Sequence, residues 1–154
     1  MGGTPRLIGV LGGMGPLATL DFLHKLLQAR AALRDQDHVP TVTWNVPQIP
    51  DRQQALAGRG EDPLPAMAEG VARLNAAGAT CIAIPCNTAH AWHSALNARS
   101  RVPILHIVDA TVQALLAGQI DYGFDAAAIR FHREGKFKCV GVASPFRWPT
   151  DPDL

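Results

Sequence analysis

The segment AIPCNTAHAW, residues 83–92, places a cysteine at the junction between an apolar run and a more polar one. The run before Cys86 favours a strand, and the residues that begin with Asn87 and Thr88 favour a helix. A helix N-terminus offers free N–H groups and partial positive charge, which favour a thiolate over a thiol. Cys86 is therefore a candidate reactive thiolate, with Asn87 and Thr88 as helix caps or as donors to a bound carboxylate. The alternative is a small buried cysteine followed by an ordinary cap.

Two histidines follow the cysteine at helical spacing. Cys86, His90 and His93 stand at i, i+4 and i+7, so a zinc site is one interpretation. Against it, Cys86 precedes the helix, and the nearby sequence supplies no fourth ligand or supporting carboxylate. We therefore expect no metal. His90 is instead a candidate polar partner of the thiol, as a proton relay or an orienting group, and we expect His93 at the surface.

Two further stretches whose residues could bind a ligand follow predicted strands. GGMGP, residues 12–16, offers unhindered backbone N–H groups that can cradle an anion where a helix begins, or it is a tight turn for close packing. A dinucleotide site is disfavoured, because G-x-G-x-x-G is missing and the second strand does not end in an acidic residue. Arg52 lies in a loop rich in Pro and Gly, where its guanidinium can hold a carboxylate in bidentate fashion or can remain a solvated partner of Asp51.

The strands that position these residues are predicted from apolar and β-branched runs. They lie at about residues 7–11 and in the segments PTVTWNV (40–46), TCIAIP (80–85) and VPILHIV (102–108).

The helices are predicted from apolar stripes and from residues typical of helix ends. The first begins at Pro16 and carries a leucine face, with an Asp21–Lys25 ion pair on the other side. The second begins at Asp62-Pro63, and the third covers NTAHAWHSALNA (87–98). The fourth begins with Asp109 as its N-cap. The stripe residues are Leu17, Leu20, Leu23 and Leu27 in the first helix, and Leu64, Met67, Val71 and Leu74 in the second, which Gly78 ends.

Alternation of strand and helix predicts an α/β fold, a Rossmann-like parallel sheet flanked by helices on both faces. Ligands of such sheets bind beyond the carboxyl ends of the strands. Residues 12–16, 48–52 and 86–88 all fall at such ends. The sequence therefore predicts that they meet at one edge of the sheet.

Composition excludes several classes of protein. The 154 residues, 47% hydrophobic and 18% charged, suit one globular domain with a core. A net charge of +1 gives no basic surface for nucleic acid or anionic lipid, and no apolar run approaches the ~20 residues of a membrane span. The three cysteines, Cys81, Cys86 and Cys139, lack CxxC spacing, and the N-terminus lacks the pattern of a signal peptide. We therefore expect a reducing, cytoplasmic location.

Four segments taken together resemble the aspartate/glutamate racemase family, and its aspartate racemase-like branch in particular. They are, in order, IGVLGGMGPLAT, IPDR, AIPCNTAH and VPILHIVDAT, within about residues 7–116. The resemblance implies two pseudo-symmetric α/β lobes with the active site between them. It also implies racemisation of a small amino acid without pyridoxal phosphate or another cofactor, with one cysteine thiol from each lobe acting on the α-carbon.

The resemblance also assigns roles to individual residues. Cys86 is the acid/base of the first lobe. The others bind the substrate: Met14 and Gly15 line the pocket, Thr19 lies nearby, Arg52 holds the distal carboxylate, and Asn87 and Thr88 bind the α-carboxylate.

The second cysteine of the family lies in a Gly-Cys-Thr-Glu-like stretch that has no counterpart here, since Val140 and Gly141 follow Cys139. We therefore expect residues 1–118 to form a first lobe, and residues 119–154 the start of an incomplete second lobe or an irregular tail. Two alternatives to racemisation then stand: a truncated, inactive remnant, or single-cysteine chemistry such as decarboxylation of a related carboxylate. An incomplete pair of lobes leaves apolar surface uncovered, which predicts aggregation or a homo-oligomer such as a homodimer.

Overall fold

The computed structural model describes residues 6–116 of the chain. Within them, a parallel three-stranded sheet has the order β2-β1-β3, with the strands β1 (Ile8–Gly12), β2 (Thr41–Asn45) and β3 (Cys81–Ala83). Helices alternate with these strands and follow them: α1 (Pro16–Gln28), α2 (Arg52–Leu56), α3 (Leu64–Ala76), α4 (His93–Asn97) and α5 (Ile107–Leu116). Single 3₁₀ segments lie at Asp35–Asp37 and Thr88–Trp92. The predicted α/β fold is confirmed.

Helices cover both faces of the central strand β1. Val10 and Leu11 have no exposed surface, and neighbouring residues of a strand point to opposite faces. On one face Leu11 lies so close to α3 that a Cβ on Gly70 would be 2.5 Å from its Cδ1. On the other face Gly12 lies against α1, where a Cβ would be 2.4 Å from Cγ2 of Thr19.

The apolar stripe of α3 is confirmed as core. Met67 and Val71 are fully buried and Leu74 is 1% exposed. The Asp62 carboxylate accepts a hydrogen bond from the N–H of Leu64 at 2.9 Å, where the helix begins. Gly78 ends the turn after the helix with φ +85°, a conformation that favours glycine.

The leucine face of α1 is not a core face in the part of the chain that the structure describes. Leu17, Leu20 and Leu27 are 75%, 59% and 51% exposed and Leu23 is half-buried, whereas Thr19 is 1% exposed. The physical reason is a hydrogen bond: the N–H of Gly13 donates to Oγ1 of Thr19 at 3.0 Å. The bond holds the Thr19 side of α1 against the end of β1, which leaves Leu17, Leu20 and Leu27 on the exposed side.

The prediction of a fourth strand over residues 102–108 is wrong. Only Ile104 pairs, in an isolated parallel bridge to Ile82 of β3. The following helix, α5, begins at Ile107, and the N–H of Val108 donates to Nδ1 of His106 at 3.3 Å. The predicted N-cap Asp109 lies inside the first turn of α5 instead, because the His106 ring occupies the capping position.

The predicted long loop after β2 contains the short helix α2. The carboxylate of Asp51 caps it by accepting hydrogen bonds from the N–H groups of Gln53 and Gln54, at 2.7 and 2.9 Å. These bonds, that from Gln54 first, lower the pKa of the Asp51 carboxyl.

Some predictions lie outside the described residues. They are the boundary near residue 118, the second unit over residues 119–154, and Cys139. Within the described part, no helix is both long and apolar enough to cross a bilayer.

Candidate active site

The strand order creates a crevice beside β1. The chain passes from β1 to β2 on one side, and β3 lies on the other side of β1. In open parallel sheets, ligands bind at such a switch point, beyond the carboxyl ends of the strands. A cavity of about 460 Å³ lies there, with walls from α1, from the segment after β3 and from the start of α5. Its described lining is Met14, Ala18, Asp21, Phe22, Lys25, Pro85, Cys86, Asn87, Thr88 and Ile107.

Cys86 is held in a tight turn after β3. Its N–H donates to the carbonyl of Ile84 at 2.8 Å, and the residue is half-buried against the core with a free thiol. Asn87 is exposed and Thr88 is half-buried. The structure thus brings these three predicted site residues, together with Met14, to one cavity.

The segment after Cys86 differs from the predicted single helix over residues 87–98. A 3₁₀ segment, Thr88–Trp92, comes first, and the regular helix α4 begins only at His93. Few peptide dipoles are aligned in a short 3₁₀ segment. The positive field at the thiol is therefore weaker than that of a full α-helix N-terminus.

His90 contacts the backbone of the thiol residue rather than the thiol itself. Its Nδ1 lies 2.9 Å from the carbonyl oxygen of Cys86, and its Nε2 lies 3.4 Å from that of Leu105. These contacts favour the orienting role predicted for His90. Burial is the largest cause that lowers the pKa of this imidazole below its usual range.

His93 is not the surface residue that the sequence predicted. It is half-buried, and its Nε2 lies 2.8 Å from the carbonyl oxygen of Ile104. Its ring stacks on that of His90, with centroids 5.8 Å apart, and meets the His106 ring edge-on at 4.6 Å. Among the described residues, no group of three or more His, Cys, Asp or Glu side chains is arranged to hold a metal ion.

The glycine-rich turn shapes the other wall of the cavity. Met14 lines it and is 5% exposed. Gly15 is the N-cap of α1 and has no side chain to cap the first-turn N–H groups. Thr19 lies outside the described lining, where its hydroxyl accepts from the Gly13 N–H and donates to the Gly15 carbonyl at 3.2 Å. Thr19 thus stabilises the turn at residues 13–15 from the side that faces away from the cavity lining.

Arg52 lies apart from this lining, at the start of α2. Its Nη1 donates to the carbonyl oxygens of Ile49 and Pro50, at 3.1 and 2.9 Å. Its Nε is buried and has no hydrogen-bond partner among the residues that the structure describes. The guanidinium therefore stabilises its own loop in this structure.

Sequence reasoning missed one feature of the cavity. Asp21 and Lys25 line it, with Oδ2 and Nζ 2.6 Å apart. The ion pair itself was predicted from the i,i+4 spacing and is confirmed. Its position beside Cys86 depends on the rotation of α1, which the sequence pattern did not specify.

A parallel α/β lobe with a thiol in its switch-point cavity agrees with the comparisons to known proteins. The sequence profile of the Asp/Glu/hydantoin racemase family matches residues 11–124. The chain belongs to this family.

Individual proteins that this chain resembles are consistent with that family. The broad specificity amino-acid racemase RacX of Bacillus subtilis (strain 168) is 30% identical over 113 residues, which cover 71% of this chain and 49% of RacX. The structure of Picrophilus torridus aspartate racemase is 36% identical, with a TM-score of 0.67, over 73% of this chain and 48% of that one. An aspartate racemase homologue from Pyrococcus horikoshii OT3 shares the fold, at 22% identity and a TM-score of 0.60, over 74% and 50% of the two chains. This chain thus spans about half the length of these relatives.

Proposed function

We propose that this chain carries the first lobe of a cofactor-independent racemase for an acidic amino acid of the aspartate or glutamate type. The main observation in support is that Cys86, Asn87 and Thr88 line one cavity beside β1, at the switch point of the sheet. The chain also belongs to the racemase family. The thiolate of Cys86 removes the α-proton. A small amino acid is well below the 460 Å³ of the cavity in size, so it can enter whole.

Removal of an α-proton needs a positioned base and stabilisation of the negative charge that develops on the carboxylate. In this proposal the Asn87 amide and the Thr88 hydroxyl donate to the α-carboxylate. The uncapped N–H groups at the start of α1, next to Gly15, add positive potential. Met14 closes the apolar side of the pocket.

Two assigned residues act from outside the described lining. Thr19 supports the turn that carries Met14, through its bond to Gly13. Arg52 would reach a distal carboxylate with the N–H groups that the Ile49 and Pro50 carbonyls leave available.

Full racemisation requires a second acid that returns a proton to the opposite face of the α-carbon. Cys81, the other cysteine in the described part, lies in β3 and does not line the cavity. A single thiol still supports one half of the chemistry: it removes the α-proton and returns a solvent-derived one to the same face. Exchange with solvent therefore separates the one-thiol and two-acid cases.

The test follows exchange and stereochemistry together. The chain is incubated with L- and D-aspartate and glutamate in D₂O, and loss of the α-proton signal is followed by NMR while the enantiomer ratio is measured by chiral chromatography. Exchange with inversion means that a second acid acts, whereas exchange with retention means one thiol. Cys86→Ala should reduce exchange by about 10²-fold or more, and Cys81→Ser serves as the thiol control. Exchange equal to the Cys86→Ala background would overturn the proposal in favour of an inactive remnant. A decarboxylase acting through one thiol would instead release CO₂ from an aryl- or alkylmalonate.

The proposal extends to assembly and location. Leu17, Leu20 and Leu27 form an exposed apolar face on α1, and we assign this face to a homodimer contact. A catalytic thiol must stay reduced, and so the proposed function also carries a cytoplasmic location.

A further inference from the structure

The Cys86 cavity contains a pair of opposite charges that the reaction proposed above does not use. Asp21 and Lys25 stand one turn apart on α1, and both line the cavity together with Cys86. Asp21 supplies the only carboxylate of the described lining, and Lys25 supplies its only permanent cation. The described lining thus offers one anion and one cation, which favours a ligand that carries both signs of charge.

The Asp21–Lys25 ion pair is available to a ligand because both side chains are exposed and their mutual interaction is weak. The side chain of Asp21 is 46% exposed and that of Lys25 is 62% exposed. Exposed ion pairs contribute little to stability, since water screens them and ordering two side chains costs entropy. A ligand that offers an ammonium and a carboxylate can therefore share or replace the pair at small cost.

An α-amino acid has this pattern of charge, while a plain dicarboxylate does not. We infer that Asp21 and Lys25 form a specificity-determining subsite for the zwitterion. The Asp21 carboxylate accepts hydrogen bonds from the substrate ammonium, and the Lys25 ammonium donates to a substrate carboxylate. This inference rests on the proposed function, because it places the amino acid at Cys86.

The position of Arg52 strengthens the case for Lys25. Nη1 of Arg52 is occupied by the Ile49 and Pro50 carbonyls, and the residue does not belong to the described lining. Lys25 already stands in the wall of the cavity that holds the thiol. The distal carboxylate of the substrate thus has a cation in the wall of the cavity itself, in addition to the one that Arg52 would supply from its loop.

The subsite predicts selection between amino acids and carboxylates. Succinate matches aspartate in length and in its two carboxylates but lacks the ammonium, so it leaves Asp21 facing an anion. A charged hydrogen bond gained or lost corresponds to about tenfold in affinity. Aspartate should therefore bind about tenfold more tightly than succinate.

Protection of the thiol measures this preference without turnover. Alkylation of Cys86 by iodoacetamide is followed by mass spectrometry of its peptide, in the presence of increasing L-aspartate, D-aspartate or succinate. Asp21→Asn should bring the aspartate preference down to within about twofold of unity, while Lys25→Gln should weaken both ligands and leave the preference in place. The matched control is Glu69→Gln, which breaks the same kind of i,i+4 pair with Arg73, also 2.6 Å long, on α3 and outside the lining. It should change nothing.

A second measurement separates this inference from the proposed function. The rates at which anionic and cationic methanethiosulfonates modify Cys86 report the charge around the thiol, whatever the ligand. Asp21→Asn should raise the ratio of anionic to cationic rates several-fold, and Lys25→Gln should lower it. Aspartate protection with an unchanged preference in Asp21→Asn would overturn the subsite and leave the racemase proposal standing. Failure of every amino acid to protect the wild-type thiol, with the charge effects present, would overturn the proposed function and the zwitterion assignment with it.

Discussion

The Nδ1 atom of His90 lies 2.9 Å from the carbonyl oxygen of Cys86, one turn earlier in the chain. Its Nε2 atom lies 3.4 Å from the carbonyl oxygen of Leu105. One ring thus joins the segment that carries the thiol to the segment that leads into α5. Burial is the main cause that lowers the pKa of His90, and His106 and His93 act in the same direction, while the two carbonyl contacts oppose it.

This relationship predicts how stability depends on pH. A histidine whose pKa is lowered on folding binds a proton more readily when unfolded, so its contribution to stability is complete above the unfolded pKa of 6.5. That contribution is lost as the pH falls from there through the lowered pKa of the folded state. We expect the free energy of unfolding in urea to fall more steeply between pH 7.5 and pH 5 for the wild type than for His90→Gln.

The matched control is His24→Gln, which removes an exposed imidazole on α1. It should retain the pH dependence of the wild type. Parallel stability curves for the wild type and His90→Gln would show that His90 is not the group responsible.

The turn at Gly13 predicts a strong dependence on glycine. Gly13 has φ +96°, and a Cβ there would lie 2.4 Å from the backbone carbon of Val46. Gly58 has φ +67° but has open space around it, so Gly58→Ala isolates the cost of the left-handed conformation, about 1–2 kcal/mol. Gly13→Ala adds the steric clash and should cost about 3 kcal/mol or more in urea unfolding. Equal losses for the two variants would contradict the close approach of the Gly13 turn to Val46, the residue that follows β2.

The hydroxyl of Thr19 predicts a second effect on the same turn. It accepts from the Gly13 N–H at a site that is 1% exposed. Thr19→Val keeps the shape but leaves that buried N–H unpaired, which should cost about 1–3 kcal/mol in the free energy of unfolding. Thr19→Ser retains the hydroxyl and should recover most of that loss in the same assay. A Thr19→Val variant as stable as Thr19→Ser would show that the hydrogen bond does not hold the turn.

Elements defined by local pattern could be predicted from the sequence. The stripe of α3, from Leu64 to Leu74, and the ion pair between Asp21 and Lys25 need only 3.6-residue periodicity. The rotation of α1 could not be predicted in this way, because the helix carries leucines on one side and Thr19 on another. The Thr19 side meets the sheet, where its hydroxyl accepts a hydrogen bond from the Gly13 N–H, a tertiary contact that periodicity does not encode.

The same limit applies at the edge of the cavity. The apolar run over residues 102–108 is typical of a strand, yet pairing with β3 is limited to Ile104. His106 then caps α5 with a ring nitrogen, a role that sequence patterns associate with Asp, Asn, Ser or Thr. The cavity position of Asp21 and Lys25 is likewise a tertiary property. The motif around Cys86, in contrast, could be found from residue types alone.

The exposed face of α1 predicts self-association. Leu17, Leu20 and Leu27 recur at helical spacing and remain more than half exposed, so an isolated chain would present an apolar stripe to water. We expect light scattering at micromolar concentration to give the mass of two chains. Replacing the three leucines with glutamine should give the mass of one chain, while each replacement changes the unfolding free energy of the chain by only about 0.5 kcal/mol or less.

Leu33, 98% exposed and beyond the end of α1, provides the control for that experiment. Leu33→Gln should leave the mass at two chains, because it removes an exposed leucine outside the stripe. A wild-type chain that remains monomeric across the concentration range would exclude the dimer, and a triple variant that still dimerises would move the contact away from α1. Dimer loss with an unchanged rate of Cys86 alkylation would further show that the contact and the cavity are independent, as expected for leucines that lie outside the described lining.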